Sequence, residues 1–272
     1  MFDRTRHVYQ SRLVDPDTEW TRLRLQILLG VAVVVVLALV VGGAWSVVNM
    51  LTGSSASDAA GSESAQSAQD ELADKELPEA PVEAAQPGSL SSGETGTIEI
   101  PPPTEVGEVG VATGYPHTPE GALAQLAAID TTALTSASVR VAQDVIKEWA
   151  APGGPTAESW SGVQAVAALL ESAGMSSEAS SSLTIAVEAK MGFIKGTVGD
   201  DFVIPCIDFI VTATTTSGQP QQVAAADCQR MVWQEDRWVI GEGEEPAPAP
   251  SLWPGSQASF DAGYQWLEVA QP

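Results

Sequence analysis

The run from Ile27 to Val48 holds 22 residues without a charged side chain, and it constrains this chain more than any other stretch. About 20 apolar residues, at about 1.5 Å rise each, cover the roughly 30 Å of hydrocarbon in a bilayer. The run is long enough to cross, and the block Val33–Val36 keeps it apolar all round. Five arginines precede it (Arg4, Arg6, Arg12, Arg22, Arg24), and the next Lys or Arg is Lys75. That bias assigns residues 1–26 to the cytoplasm and everything after Val48 to the extracytoplasmic side. A cleaved signal peptide is the competing reading, but its apolar region is usually about 7 to 15 residues and ends at small residues. Here Trp45 interrupts the small residues of 42–46. A retained single-pass anchor at 27–48 is therefore expected.

Charge narrows the partners. Five of the 12 basic and four of the 35 acidic residues lie before Ile27, leaving seven and 31 beyond Val48, a net −24 on the outer part. So acidic a surface repels phosphate backbones, so no nucleic-acid partner is expected. Residues 49–104 are mostly Ser, Ala, Gly, Glu, Asp and Pro with few large apolar side chains. Such a segment offers little surface to offset ordering entropy, and it reads as a disordered acidic linker.

Globular composition begins near Val106, and residues 105–245 read as one α+β domain. Thr118-Pro119-Glu120 has the N-cap, first-turn Pro and acid of a helix start, for a helix to about Ile129. A second helix is expected over 134–149, with Val145, Ile146 and Trp149 on its buried side, and a third over 157–173. Gly174 stands where a left-handed C-terminal cap belongs. The period then changes to two. Leu183, Ile185, Val187, Ala189, Met191 and Phe193 alternate with smaller or polar residues, as in a half-buried strand. Turns at 199–201, 217–218 and 235–236 separate further strands over 202–215, 222–234 and 238–240. The expected fold is three helices packed on a curved antiparallel sheet of about four strands. The Pro-rich segment 246–272, carrying Tyr264, Trp266 and Leu267, is expected to pack back on the domain rather than serve as a docking strip.

The hairpin tests the cysteines. With the turn near Ser217, opposed residues carry numbers summing to about 434, and Cys206 and Cys228 meet that sum. Opposed side chains share a face at a separation a disulfide can bridge. On an exported domain a Cys206–Cys228 bridge is expected, with two free thiols as the alternative. The same register pairs Val203 with Met231, Phe209 with Ala225 and Val211 with Val223.

Chemistry is sparse. There is no GxSxG, glycine-rich phosphate loop, HExxH or CxxC. With His7 and His117 the only histidines, a His pair is not available outside. No catalytic residue, cofactor or metal is expected. Asp208 and Asp227, beside the cysteines in otherwise apolar strands, are the alternative pocket: a desolvated carboxylate there would have a raised pKa and act as a base. The plainer reading is a structural role, with Arg230 pairing with one of them.

Helices followed by a curved antiparallel sheet resemble, across 118–240, the cystatin-like cone of nuclear-transport-factor-two-like domains. Joined to a short basic tail and one N-terminal membrane helix, the chain resembles the assembly-factor subunit of type IV secretion and conjugation machines. The stretches 114–122 (GYPHTPEGA) and 242–254, the latter after Arg237-Trp238-Val239-Ile240, look like those of uncharacterised single-pass proteins of actinobacterial conjugative elements. The resemblance implies a non-enzymatic scaffold whose partners are membrane lipid, other secretion subunits and further copies of itself. The alternative is a small-ligand-binding or catalytic cone on the outer membrane face.

Overall fold

The computed structural model describes residues 59–179, 182–216 and 218–270. The expected cytoplasmic tail, the apolar run 27–48, the first part of the linker and the turn residue Ser217 lie outside them. Among the described residues, no helix is long and apolar enough to cross a membrane.

Two long antiparallel strands, β4 (Leu183–Thr197) and β5 (Phe202–Thr215), form the spine of a curled sheet. Residues 202–209 of β5 are buried without a break, as in a strand covered on both faces. Odd-numbered Val203, Ile207 and Phe209 pack under helices, while Phe202, Ile204 and Cys206 face the other way. The ladder shifts register at two places on β4, leaving Lys190 and Lys195 without a partner on β5. Each extra residue is a bulge that bends the strand and reverses its alternation. This corrects the expected single face: Leu183 and Ile185 lie under the helices, but Met191 and Phe193 face the opposite side.

The hairpin register is as expected. β6 (Gln221–Cys228) pairs with β5 through Cys206–Cys228, Phe209–Ala225 and Val211–Val223. The expected strand 222–234 is interrupted at Gln229 and Arg230, and β7 (Met231–Gln234) resumes with Val203 opposite Met231. The sum is unchanged, so no residue is inserted. Pro205 lies opposite the gap and accepts from the Gln229 N–H at 3.4 Å, but proline has no N–H to return. β8 (Arg237–Ile240) follows a corner in which Glu235 and Asp236 both take positive φ (50° and 61°), as a two-residue hairpin turn requires.

Helices cover one face. Thr118 caps α2 (Pro119–Thr135), its Oγ1 accepting from the Gly121 N–H, with Pro119 at the first position. The helix continues six residues past the expected end, with the Thr132 hydroxyl donating to the Ala128 carbonyl within it. The break falls at Ala137 (φ 46°), so α3 (Val139–Trp149) begins later than expected, capped by Ser138. α4 (Ser161–Ser172) ends as expected at Gly174. The Gly174 N–H donates to the Glu171 carbonyl and the Met175 N–H to that of Leu170, a Schellman pair around a left-handed glycine. Trp149, Trp160 and Trp238 are fully buried with Leu123, Leu126 and Ile129 in this layer. Gly121 must lack a Cβ: a methyl there would land on the Pro116 carbonyl oxygen, which accepts from the Trp238 indole at 2.9 Å. Gly121→Ala should destabilise by about 1–3 kcal/mol in a denaturant titration. An unchanged midpoint would show that the 116–121 turn yields freely.

The opposite face holds the main departure from expectation. Within the stretch read as a disordered linker, α1 (Ala59–Asp74), a 3-10 turn at Val82–Ala85 and β1 (Thr97–Ile100) are formed, and Ala73 and Ala85 are fully buried. The Pro-rich tail packs beside them, as expected, through Ala249, Leu252 and Tyr264 onto Ile204, Cys206 and Met191. Segment and tail also bond each other. The Ala247 N–H donates to the Ala73 carbonyl, Trp253 N–H to Ala84 and Ser91 N–H to Gly255. Composition alone understated the segment because its few apolar side chains land on a surface the tail and sheet provide together. After a short α5 (Gln257–Asp261), β9 (Gln265–Val269) lies parallel to β1 and antiparallel to β4. The sheet is therefore seven-stranded, in the order β1-β9-β4-β5-β7-β8 with β6 also on β5, not a four-stranded meander. A ribbon of β2 (Glu105–Val106) and β3 (Ala112–Thr113) stands apart from it.

Candidate functional site

Asp208 and Asp227, each a candidate for the polar group of a pocket, lie on opposite faces of the sheet. Asp208 opposes Ala226, and Asp227 opposes Ile207. Asp208 points to the tail side with Cys206 and is fully buried. Neither carboxyl oxygen makes a well-formed hydrogen bond. Burial pushes its pKa well above the carboxylate range, and the Leu252 amide offsets this only in part. Nearby Tyr264 donates to the Pro250 carbonyl at 3.0 Å, and burial together with the two aspartates raises its phenol well above the usual value.

Asp227 joins a cluster of acids on the helix side. Asp130 from α2 and Glu245, at the start of the tail, complete it. Glu245 accepts from the Ser161 N–H (2.9 Å), the Ser161 hydroxyl (3.1 Å) and Gln229 Nε2 (3.3 Å). Gln229 Nε2 also reaches Asp227 Oδ1 at 3.3 Å. Oδ2 of Asp130 and Oδ2 of Asp227 are sealed from solvent, with no N–H or hydroxyl donor to serve them. A proton held between the two carboxyls supplies the missing hydrogen bond. Burial, then the charges of Asp227 and Glu245, raises Asp130 well above the carboxylate range. Burial, then Glu245, raises Asp227 to about 7. Glu245 is also raised by burial, opposed by its bonds from Ser161 and Gln229.

Such a pair has the elements of acid–base chemistry, one proton shared by two carboxyls. Two surface grooves, of about 610 and 290 Å³, are lined by other residues, and none of Asp130, Asp208, Asp227 or Glu245 borders either. Among the described residues, no three His, Cys, Asp or Glu side chains are arranged to hold a metal ion.

Arg230 does not pair with Asp208 or Asp227, contrary to expectation. Its guanidinium meets Asp70 of α1 at 2.8 Å, and its Nε donates to the Glu244 carbonyl at 2.8 Å. The backbone break at 229–230 aims it toward the N-terminal segment instead. Lys195, at the second bulge, donates to the Ala73 carbonyl at 2.7 Å, at the C-terminal end of α1. There it meets unpaired helix carbonyls, and burial lowers its pKa to about 8. Both cations serve as clasps for α1. His117 contacts Asp201 at 2.9 Å and stacks on Trp233 with ring centres 4.4 Å apart.

Cys206 and Cys228 are disulfide-bonded, as expected. Sequence reasoning missed Asp130 and Glu245. Asp130 would have been visible as an acid between Ile129 and Ala133 of the buried stripe had the helix not been ended at Ile129. Glu245, the last residue of the stretch read as the domain, carried no distinguishing signal. No family model, no curated protein and no solved structure matches this chain.

Proposed function

We propose that the protein is a membrane-anchored, non-catalytic assembly subunit of a conjugation or type IV-like secretion apparatus. In this reading residues 27–48 span the cell membrane, the N-terminus is cytoplasmic, and the α+β domain stands outside as a cystatin-like cone. The disulfide carries the reading. A bridge is stable on the oxidising side of a membrane, where the arginine bias puts Cys206 and Cys228. A scaffold role, rather than a ligand-binding or catalytic cone, is supported by the cover over the sheet. The chain's own N-terminal segment and tail pack on one face and three helices on the other, so both faces of the sheet are covered by protein.

The test is complementation of a deletion in the host element, read as transfer frequency. The full chain, Asp208→Asn and Asp227→Asn should each restore transfer. Failure of both Asn variants, with normal levels of folded protein, would favour the catalytic alternative. Unchanged transfer on deletion would remove the conjugation reading. In the same cells a membrane-impermeant maleimide should label the exposed position Ser67→Cys but not Ser11→Cys. The reverse pattern would overturn the orientation.

A further inference from the structure

The sheet has several edges, and they are treated differently. At β8 the Ala151 N–H donates to the Ile240 carbonyl at 2.7 Å, and residues 150 and 240 form a parallel bridge. At β6 the Ser251 hydroxyl accepts from the Ala226 N–H at 2.9 Å. The tail and the α3 exit thus cap those strands. β1 ends the sheet order on the other side, and among the described residues no strand pairs with its outer edge.

That edge faces a groove. The Trp266 N–H donates to the Gly96 carbonyl and the Ala270 N–H to that of Ile100, so even-numbered residues of β1 turn their backbone groups to β9. In an extended strand the alternate residues, Thr97 and Glu99, turn theirs away. Thr97 and Glu99 line the groove of about 610 Å³, with Pro116, Thr118 and Glu120 on its far wall. The outer edge thus meets a cleft between β1 and the start of α2.

Charge selects the occupant. Glu99 lies in register with Glu268 of β9, and Glu120 stands across the groove. None of these three carboxylates has an ion-pair partner among the described residues. A second copy adding β1 to β1 would bring acid against acid, which opposes pairing. An extended segment carrying Lys or Arg at alternate positions is complementary in both backbone and charge.

We propose that the free edge of β1 takes an extended basic segment of a partner protein as an added strand, its cations meeting Glu99, Glu268 and Glu120. This stands apart from the choice of apparatus, since it uses only the edge, the groove and their charge. The test uses the full chain in zwitterionic-lipid nanodiscs and a fluorescein-labelled nine-residue peptide alternating Lys and Val. Anisotropy should show binding, and hydrogen exchange should slow at residues 97–100. Glu99→Lys, at an exposed position, should weaken binding about tenfold. N-methylation of alternate peptide amides should weaken it by about tenfold or more, since edge hydrogen bonds are lost while charge is kept. Equal binding of the N-methylated peptide would show plain charge attraction and overturn the proposal, as would unchanged affinity in Glu99→Lys or no binding at millimolar peptide. Efficient self-crosslinking through Thr97→Cys would assign the edge to a second copy and overturn it equally.

Discussion

Asp227→Asn should make the domain more stable than the parent at pH 8, by about 2–4 kcal/mol, and nearly equal to it below pH 4. The ordinary Asp value is 3.8, and burial raises Asp227 to about 7 in the folded protein. Between those values the folded chain holds a proton that the unfolded chain has released. The favourable contribution of the protonated acid is therefore fully present below about pH 4 and lost as pH rises through about 7. Asn keeps the shape without the charge, so the gap between variant and parent should open across that window. Asp130, raised well above its ordinary value by the same burial and by Asp227, extends the loss to higher pH. Urea titrations followed by tryptophan fluorescence, at several pH values, read the difference directly. A variant less stable than the parent at pH 8 would mean that both carboxylates are ionised and held by donors.

Replacing Cys206 and Cys228 together by Ala should lower stability by roughly 2–4 kcal/mol. The bridge spans 22 residues, for which loop entropy alone accounts for about 3 kcal/mol. Both half-cystines are buried in the cluster that also holds Leu252 and Tyr264. The double variant should therefore loosen the tail first, seen as faster hydrogen exchange over 249–264 while the helix layer stays protected. Two reactive thiols per denatured, unreduced chain would show that the bridge does not form.

Local chemistry made part of this fold legible. The hairpin register followed from one turn and a period of two, and it survived the interruption at Pro205 because no residue was added. The caps at Thr118 and Gly174 were readable because each needs a particular residue at a particular place. Both lysine bulges on β4 were invisible, since nothing in Lys190 or Lys195 distinguishes an extra residue from a paired one. β1 and β9 were missed for another reason. Each is a four- or five-residue strand whose partner lies far along the chain, and short segments of mixed polarity carry no period to find. The acid cluster failed likewise: Asp130, Asp227 and Glu245 come from a helix, a strand and a loop that only the tertiary fold brings together. Asp208, fully buried, and Asp227, half-buried, were singled out together by their apolar strands, but the odd spacing between them puts them on opposite faces.

The parallel β1–β9 pair also bears on the order in which the domain assembles. Thr95 donates its hydroxyl to the Tyr264 carbonyl across 169 positions of sequence, whereas the disulfide closes only 22. Closing the longer loop costs roughly 2 kcal/mol more in chain entropy, and no part of it can close before residue 264 has been made. The β5–β6 hairpin can form before β9 has been made. β1, the first of the described strands, must wait for β9, the last of them, so the N-terminal cover settles onto a sheet whose centre is already built.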